Sequence, residues 1–410
     1  MTTNPPPLPL PKGLITSRLI PTKTLTFHIL ESNPDPNTPR PLLLLLHGFP
    51  ELAFSWRKVI PPLAAAGYHV VAPDQRGFGR TTGWDTRSFS DVDLHTFTLT
   101  SFVRDMVTLV HALGYRSVQC VVGHDCGAVT AAMCALVRPD FFKSVVLLSH
   151  PFNGSPVLPF GTAGGSSESS SGGGEEGKSG SSGSSGGGTE SAAGDHVHGE
   201  LAAHGRKHYK WYYSTEPANR EMVEPVAELG EFLRGYFYLK SGRWSGNRPF
   251  PLEGWTAEDL VQLPYYYVMP LEANMREAVK RHMASESEAA VSASKAWLSD
   301  EELAVYVGEY ERTGFQGGLN WYRVRTAAGG KYTGDFEVFA GRKIEVPAAF
   351  VSGKSDWGIY QEPGALEKMV DGRVCSDFRV LRLVDGVGHW APQECPDVVV
   401  EVILELLRGL

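Results

Sequence analysis

Over the first 150 positions, short apolar runs alternate with polar turns. Leu14–Ile20 and Thr24–Leu30 look like an antiparallel pair of strands. Leu42–Leu46 is a continuous apolar run, the pattern of a strand covered on both faces. Trp56–Ala66 fits a turn and short helix, with Pro61-Pro62 near its start and Gly67 as its C-terminal cap. Tyr68–Ala72 is the next strand. Thr100–Leu113 has apolar residues at helical spacing and stops at Gly114. Val118–Val122, Ala128–Val137 and Ser144–Ser149 then give strand, helix and strand. Such alternation predicts an α/β fold, a mostly parallel sheet with helices on both faces.

The rhythm breaks near Pro151. Positions 161–195 are dominated by Gly and Ser, carry no aromatic residue and cannot supply a core, so they predict a disordered insert. From about Arg206 to Gly330 the chain is rich in Tyr and Trp and shows helical segments at Met222–Tyr238, Thr256–Leu263, Ala273–His282 and Asp300–Thr313. Strands return at Val346–Ser352 and Phe378–Val384, followed by a last helix Val398–Leu407. The layout predicts one core built from residues 1–150 and 340–410, with a helical cap at 151–339 inserted between them.

Composition narrows the function classes. A chain of 410 residues accommodates a large domain with such an insertion. A net charge of −8 argues against binding to nucleic acid or an anionic membrane surface. The 5 cysteines are odd in number and lack Cys-x-x-Cys spacing, which predicts free thiols in a reducing compartment rather than a zinc site or disulfide framework. The N-terminus has no basic segment followed by an apolar one, and the longest apolar run is far short of the ~20 residues that span a bilayer. The expectation is a soluble, cytoplasmic protein that uses no metal or cofactor.

The chemistry concentrates at Gly123-His124-Asp125-Cys126-Gly127, where a strand turns into a helix. In the frame Gly-x-Ser-x-Gly, a strained turn lifts the central nucleophile above the sheet. Here the central residue is Asp125. A carboxylate nucleophile attacks saturated carbon and leaves an ester on the enzyme, which points to opening of an epoxide or displacement of a halide. Asp356 follows the strand Val346–Ser352, and His389 follows Phe378–Val384. Nucleophile, acid and histidine thus occur in hydrolase order beyond the carboxyl ends of strands, with Asp356 expected to orient His389 as the general base. His47-Gly48-Phe49-Pro50 follows the leucine strand and nominates the Phe49 amide, with that of Cys126, as an oxyanion hole. Asp74-Gln75-Arg76-Gly77-Phe78-Gly79 lacks a phosphate-loop frame and is read as a structural turn held by an Asp74–Arg76 pair.

At these residues the chain resembles the epoxide hydrolases of the α/β-hydrolase superfamily. The resemblance rests on His47–Pro50, Asp74–Gly79, Gly123–Gly127, Asp356, His389 and Gly317-Gly318-Leu319-Asn320-Trp321-Tyr322-Arg323, and so spans nearly the whole chain outside the Gly/Ser insert. It implies an α/β-hydrolase fold with an inserted helical cap. It also implies that Tyr322 binds the epoxide oxygen together with a second cap tyrosine. Tyr209, in Tyr209-Lys210-Trp211-Tyr212-Tyr213, is the choice for that second role, with Tyr212 and Tyr213 as competitors. His47, Pro50, Trp211, Tyr212, Trp321 and Trp390 are expected to line the substrate pocket. The partners implied are a small epoxide, apolar or aryl given the aromatic cap, and water. One departure stands beside the nucleophile, where family members commonly carry Trp and this chain has Cys126. Two alternatives share parts of this frame. A haloalkane or haloacid dehalogenase would use the same triad, and a non-catalytic protein of this fold would bind a ligand without turning it over.

Overall fold

Leu42–Leu46 forms a strand that is buried at every position. Leu42, Leu44 and Leu46 belong to one apolar core, while Leu43 and Leu45 belong to a second. That division follows from the two-residue period of a strand, and it places the strand inside the sheet with both faces covered. At about 2 kcal/mol per buried leucine, this strand alone contributes roughly 10 kcal/mol of burial before chain entropy is counted.

The computed structural model describes residues 5–32, 38–156, 190–326, 331–332 and 334–410. In chain order its strands are β1 (Ile15–Pro21), β2 (Thr26–Ser32), β3 (Leu42–Leu46), β4 (His69–Pro73), β5 (Cys120–His124), β6 (Val145–Leu148), β7 (Arg206–His208), β8 (Val268–Pro270), β9 (Ala348–Gly353) and β10 (Phe378–Val384). One 8-stranded sheet runs β1-β2-β4-β3-β5-β6-β9-β10. Its β1–β2 and β2–β4 pairs are antiparallel. The remaining neighbours are parallel. This is the mostly parallel α/β sheet that the alternation predicts, and the α/β-hydrolase fold that the resemblance implies. β5 lies between β3 and β6, so the turn that follows it opens at the centre of the sheet edge.

Among the described residues, the excursion between β6 and β9 is mainly helical and carries the small antiparallel pair β7–β8. Its helices include Glu190–Ala203, Tyr209–Tyr213, Pro217–Val223, Leu229–Leu239, Met275–Met283, Asp300–Thr313 and Gln316–Thr326. Asn274 with Glu277, and Ser299 with Glu302, form capping boxes that begin two of them. Among the described residues, no helix is long and apolar enough to cross a membrane.

Three expectations change. The helix expected over Met222–Tyr238 is broken, because Pro225 has no N–H and its predecessor Glu224 is extended at φ −92°, ψ 139°. Of the insert expected at 161–195, residues 161–189 lie outside the described residues. Residues 190–195, which composition assigned to that insert, begin the helix Glu190–Ala203. The expected Asp74–Arg76 pair does not form. Arg76 instead makes a bidentate pair with Asp105, with both contacts at 2.7 Å, and Asp74 binds His28 at 2.7 Å and the amides of Ala53 and Arg80.

Candidate active site

Asp125 stands alone between β5 and the helix Cys126–Val137, at φ 53°, ψ −120°. An L-residue holds that backbone only when its surroundings enforce it. Two glycines make the turn possible. A Cβ on Gly123 would lie 2.1 Å from the Gly127 carbonyl oxygen, and one on Gly127 would lie 2.4 Å from the carbonyl oxygens of Leu46 and His47. The strand, the turn and the β3 loop therefore approach more closely than any side chain permits.

The Phe49 amide donates to Asp125 Oδ1 at 3.0 Å. On the other side, His389 Nε2 lies 3.5 Å from Asp125 Oδ2 without hydrogen-bond geometry. His389 Nδ1 faces both oxygens of Asp356, at 3.0 and 3.1 Å. Asp356 is held in turn by the Gly358 amide at 2.7 Å and the Ser352 hydroxyl at 3.2 Å. The expected acid, histidine and elbow aspartate are thus brought together. All three are buried. Burial opposes the charge on Asp125, but His389, Lys240 and His124 around it hold its carboxyl far below the usual carboxylate range. Asp356 is likewise lowered, with burial opposing and His389, the Gly358 amide and Lys240 prevailing. Both carboxyls are ionised at neutral pH.

The Cys126 amide makes no hydrogen bond among the described residues, so of the two amides expected as oxyanion donors only that of Phe49 already bonds the carboxylate. Burial first, then the neighbouring Asp125, pushes the Cys126 thiol well above its usual range. It stays protonated and is no rival nucleophile.

Tyr322 and Tyr209 pack with ring centres 5.8 Å apart, and both feel the charge of Asp125. Burial, followed by the charge of Asp125, raises both phenols well above their usual range, so both remain neutral donors. The Tyr322 hydroxyl makes no hydrogen bond among the described residues, while that of Tyr209 donates to Gln361 at 3.3 Å. The competitors have other partners. Tyr212 donates to Glu221 at 2.9 Å, and Tyr213 to Tyr236 at 3.3 Å.

The helix Gln316–Thr326 carries Tyr322 to the core through two more glycines. A Cβ on Gly317 would lie 2.0 Å from the Gly77 carbonyl oxygen, and one on Gly77 would meet Gly317 at 2.5 Å. The Asp74–Gly79 turn is thus the seat for this helix.

The expected pocket residues divide. Trp390 packs edge-on to His389 at 4.7 Å, Trp321 packs against Tyr322 at 5.0 Å, and Pro50 follows Phe49 through a cis peptide. His47, Trp211 and Tyr212 are engaged elsewhere. Both ring nitrogens of His47 bond backbone, Gly48 at 2.8 Å and Gln75 at 3.1 Å, because they fasten the β3 loop to the next turn. Trp211 stacks on His198 at 5.0 Å.

Several site residues escaped the sequence reading. Glu51 and His124 form a buried pair at 2.5 Å, and His124 Nε2 reaches the His389 carbonyl at 2.7 Å. His124, with burial opposing, raises its basicity against Glu51, while Glu51 is lowered to about 2, burial again opposing. Their signal was adjacency, since Glu51 directly follows His47–Pro50 and His124 directly precedes Asp125 inside the elbow motif. Glu394 accepts the amides of Gly242, Gly388 and Trp390 at 2.8 to 3.2 Å, and so clasps both neighbours of His389. Nothing in the sequence marked Lys240.

With this geometry in hand, the similarities to known proteins are direct. Residues 41–161 match the family model described as the alpha/beta hydrolase fold. Epoxide hydrolase B of Mycobacterium tuberculosis is 30% identical over 403 residues, covering 96% of this chain and 98% of that protein. Epoxide hydrolase A of the same organism is 30% identical over 407 residues, covering 97% and 99%. Among solved structures, an epoxide hydrolase from an endophytic Streptomyces is similar at a TM-score of 0.68 with 26% identity, covering 97% of this chain and 96% of that one. A laboratory-evolved variant of potato epoxide hydrolase is similar at 0.68 with 25% identity, covering 97% and 100%. The relatives do not favour the dehalogenase or the non-catalytic reading. The chain belongs to the epoxide hydrolases of the α/β-hydrolase fold and is an enzyme that hydrolyses epoxides.

Proposed function

We propose that this enzyme converts an apolar or aryl epoxide to a vicinal diol through an ester on Asp125. The observation that carries the reading is the ionised Asp125 carboxylate, flanked by the Phe49 amide and His389, with its charge felt by two neutral tyrosines. Tyr209 and Tyr322 hydrogen-bond the epoxide oxygen while Asp125 attacks a ring carbon from the opposite side. The alkoxide that forms is more basic than a phenolate, so a tyrosine gives it a proton. His389, oriented by Asp356, then takes a proton from water, which attacks the ester carbon. The oxyanion faces the Phe49 amide, and the Cys126 amide joins it as charge develops. Collapse breaks the ester C–O bond; the imidazolium gives its proton to the departing alkoxide, and the hydroxyl proton that water left on the carboxyl returns to the phenolate, which releases the diol and restores Asp125, His389 and the tyrosine. We take residues 1–150 and 340–410 as the core that holds the triad, and 151–339 as the lid that holds the tyrosines. The five unpaired cysteines support a reducing, cytoplasmic setting.

Single turnover in heavy-oxygen water tests the nucleophile. The first diol should carry unlabelled oxygen from Asp125, and label appearing in it at once would mean direct attack by water. His389→Gln should trap the ester as added mass on the protein.

A further inference from the structure

Lys240 follows the helix Leu229–Leu239 and is 4% exposed. Its ammonium lies 4.8 Å from the ring centre of Tyr267 and 5.3 Å from those of Tyr236 and Trp390. No carboxylate of the described residues lies within ion-pairing distance of it. Buried lysines ordinarily pair with an acid. Arg57, by comparison, meets Glu302 at 2.8 Å, and the buried Arg76 meets Asp105 at 2.7 Å. The aromatic faces solvate this charge without neutralising it.

The cage shares its walls with the active site. Trp390 packs on His389 at 4.7 Å, and Tyr267 packs on Tyr209 at 5.3 Å. The Lys240 carbonyl accepts the His389 amide at 2.8 Å. Two acids that feel this ammonium are Asp125 and Asp356. Of the other two groups felt by Asp125, His389 is matched by Asp356 and His124 by Glu51. Lys240 is therefore a cation with no acid within ion-pairing distance among the described residues, whose charge is felt by the two ionised carboxylates Asp125 and Asp356.

We propose that Lys240 is the standing counter-charge of the active site and a positioning residue for the ester-hydrolysis step. The inference rests on the reading of Asp125 as nucleophile. Alkylation removes the negative charge from Asp125 and so forfeits its attraction to Lys240. Hydrolysis restores that charge, first as the tetrahedral oxyanion and then as the carboxylate. A nearby cation consequently slows ester formation modestly and speeds ester breakdown.

The test separates the two chemical steps. Lys240→Met keeps length and apolar bulk in the cage, and Lys240→Arg keeps the charge. Ester formation and ester breakdown are followed on the full chain by rapid quench and intact-protein mass, with styrene oxide as probe. Lys240→Met should break down the ester about tenfold more slowly, the factor one pKa unit of carboxylate stabilisation represents. It should form the ester at the parent rate or faster, so the ester fraction at steady state rises. Lys240→Arg should recover breakdown. A merely structural role would slow both steps together and overturn the proposal, as would an unchanged breakdown rate. Should Lys240→Met not fold, Lys240→Gln provides the same comparison. A parent enzyme that never carries the ester would instead defeat the nucleophile reading, which keeps the two failures distinct.

Discussion

Replacing Tyr322 with Phe isolates one hydroxyl. The Tyr322 ring packs edge-on against Phe49 at 5.6 Å, Tyr213 at 5.0 Å and Trp321 at 5.0 Å, contacts that a phenylalanine keeps. The hydroxyl bonds nothing among the described residues, so its loss orphans no partner. Stability should therefore hold within about 0.5 kcal/mol, the range of a change without burial or hydrogen-bond consequences. Chemistry is a different matter. The hydroxyl is proposed to meet oxygen as it gains negative charge, and removing a preorganised donor to such charge costs ~3 kcal/mol, about a hundredfold in rate. That loss belongs to ester formation, because the tyrosines act on the epoxide before water enters. Stopped-flow tryptophan fluorescence follows that step, with Trp321 beside the altered ring as reporter. Ester breakdown, which depends on His389, should stay within a factor of a few. Tyr209→Phe provides the internal contrast, since it removes a donor from Gln361 as well and should lose stability along with rate. A Tyr322→Phe enzyme that forms the ester at the parent rate while remaining folded would refute the assignment, because no other described role of that hydroxyl exists to be compensated.

Three further outcomes follow from the same geometry. Asp356→Asn should leave ester formation largely intact but slow ester breakdown by about 10²- to 10⁴-fold, because His389 loses the acceptor that orients Nδ1; burst kinetics with ester accumulation would show it. Gly317→Ala should lose stable fold or nearly all activity, since its Cβ would meet the Gly77 carbonyl oxygen at 2.0 Å and backbone cannot yield as a side chain does; thermal melting and turnover together are the readout. Glu394 is pushed up to about 7 from 4.5 by burial, against the pull of its amides. Its folded state therefore keeps a proton that the unfolded chain releases, and stability should fall as pH rises from about 4.5 to about 7 and then level off. The full shift corresponds to ~3 kcal/mol, reduced because the residue retains partial solvent access, and Glu394→Gln should flatten that slope in denaturation series at pH 5 and pH 8.

What the sequence made legible was local. The leucine run announced a doubly covered strand, because five consecutive apolar residues cannot alternate faces unless both are dry. The elbow was legible because Gly123 and Gly127 bracket a single polar residue at a strand end, and the close approaches of 2.1 and 2.4 Å show why only glycine serves there. The helix Glu190–Ala203 was hidden because its opening residues share the composition of the segment before them. The aromatic stretch around Tyr209 was legible as a group but not residue by residue, since Tyr209, Tyr212 and Tyr213 differ only in where the helix Tyr209–Tyr213 points each hydroxyl. Glu51 and His124 were hidden for a different reason. Each is an ordinary residue whose meaning arises from a partner 73 positions away. Lys240 is the extreme case. No local pattern distinguishes it from a lysine that ends a helix near solvent. Its significance depends on burial against Tyr236, Tyr267 and Trp390, drawn from separate segments, and on a charge felt by two acids that belong to the triad. Motifs therefore identify the groups that make and break bonds, whereas the charge that balances them is set by long-range packing and is visible only once the chain is folded.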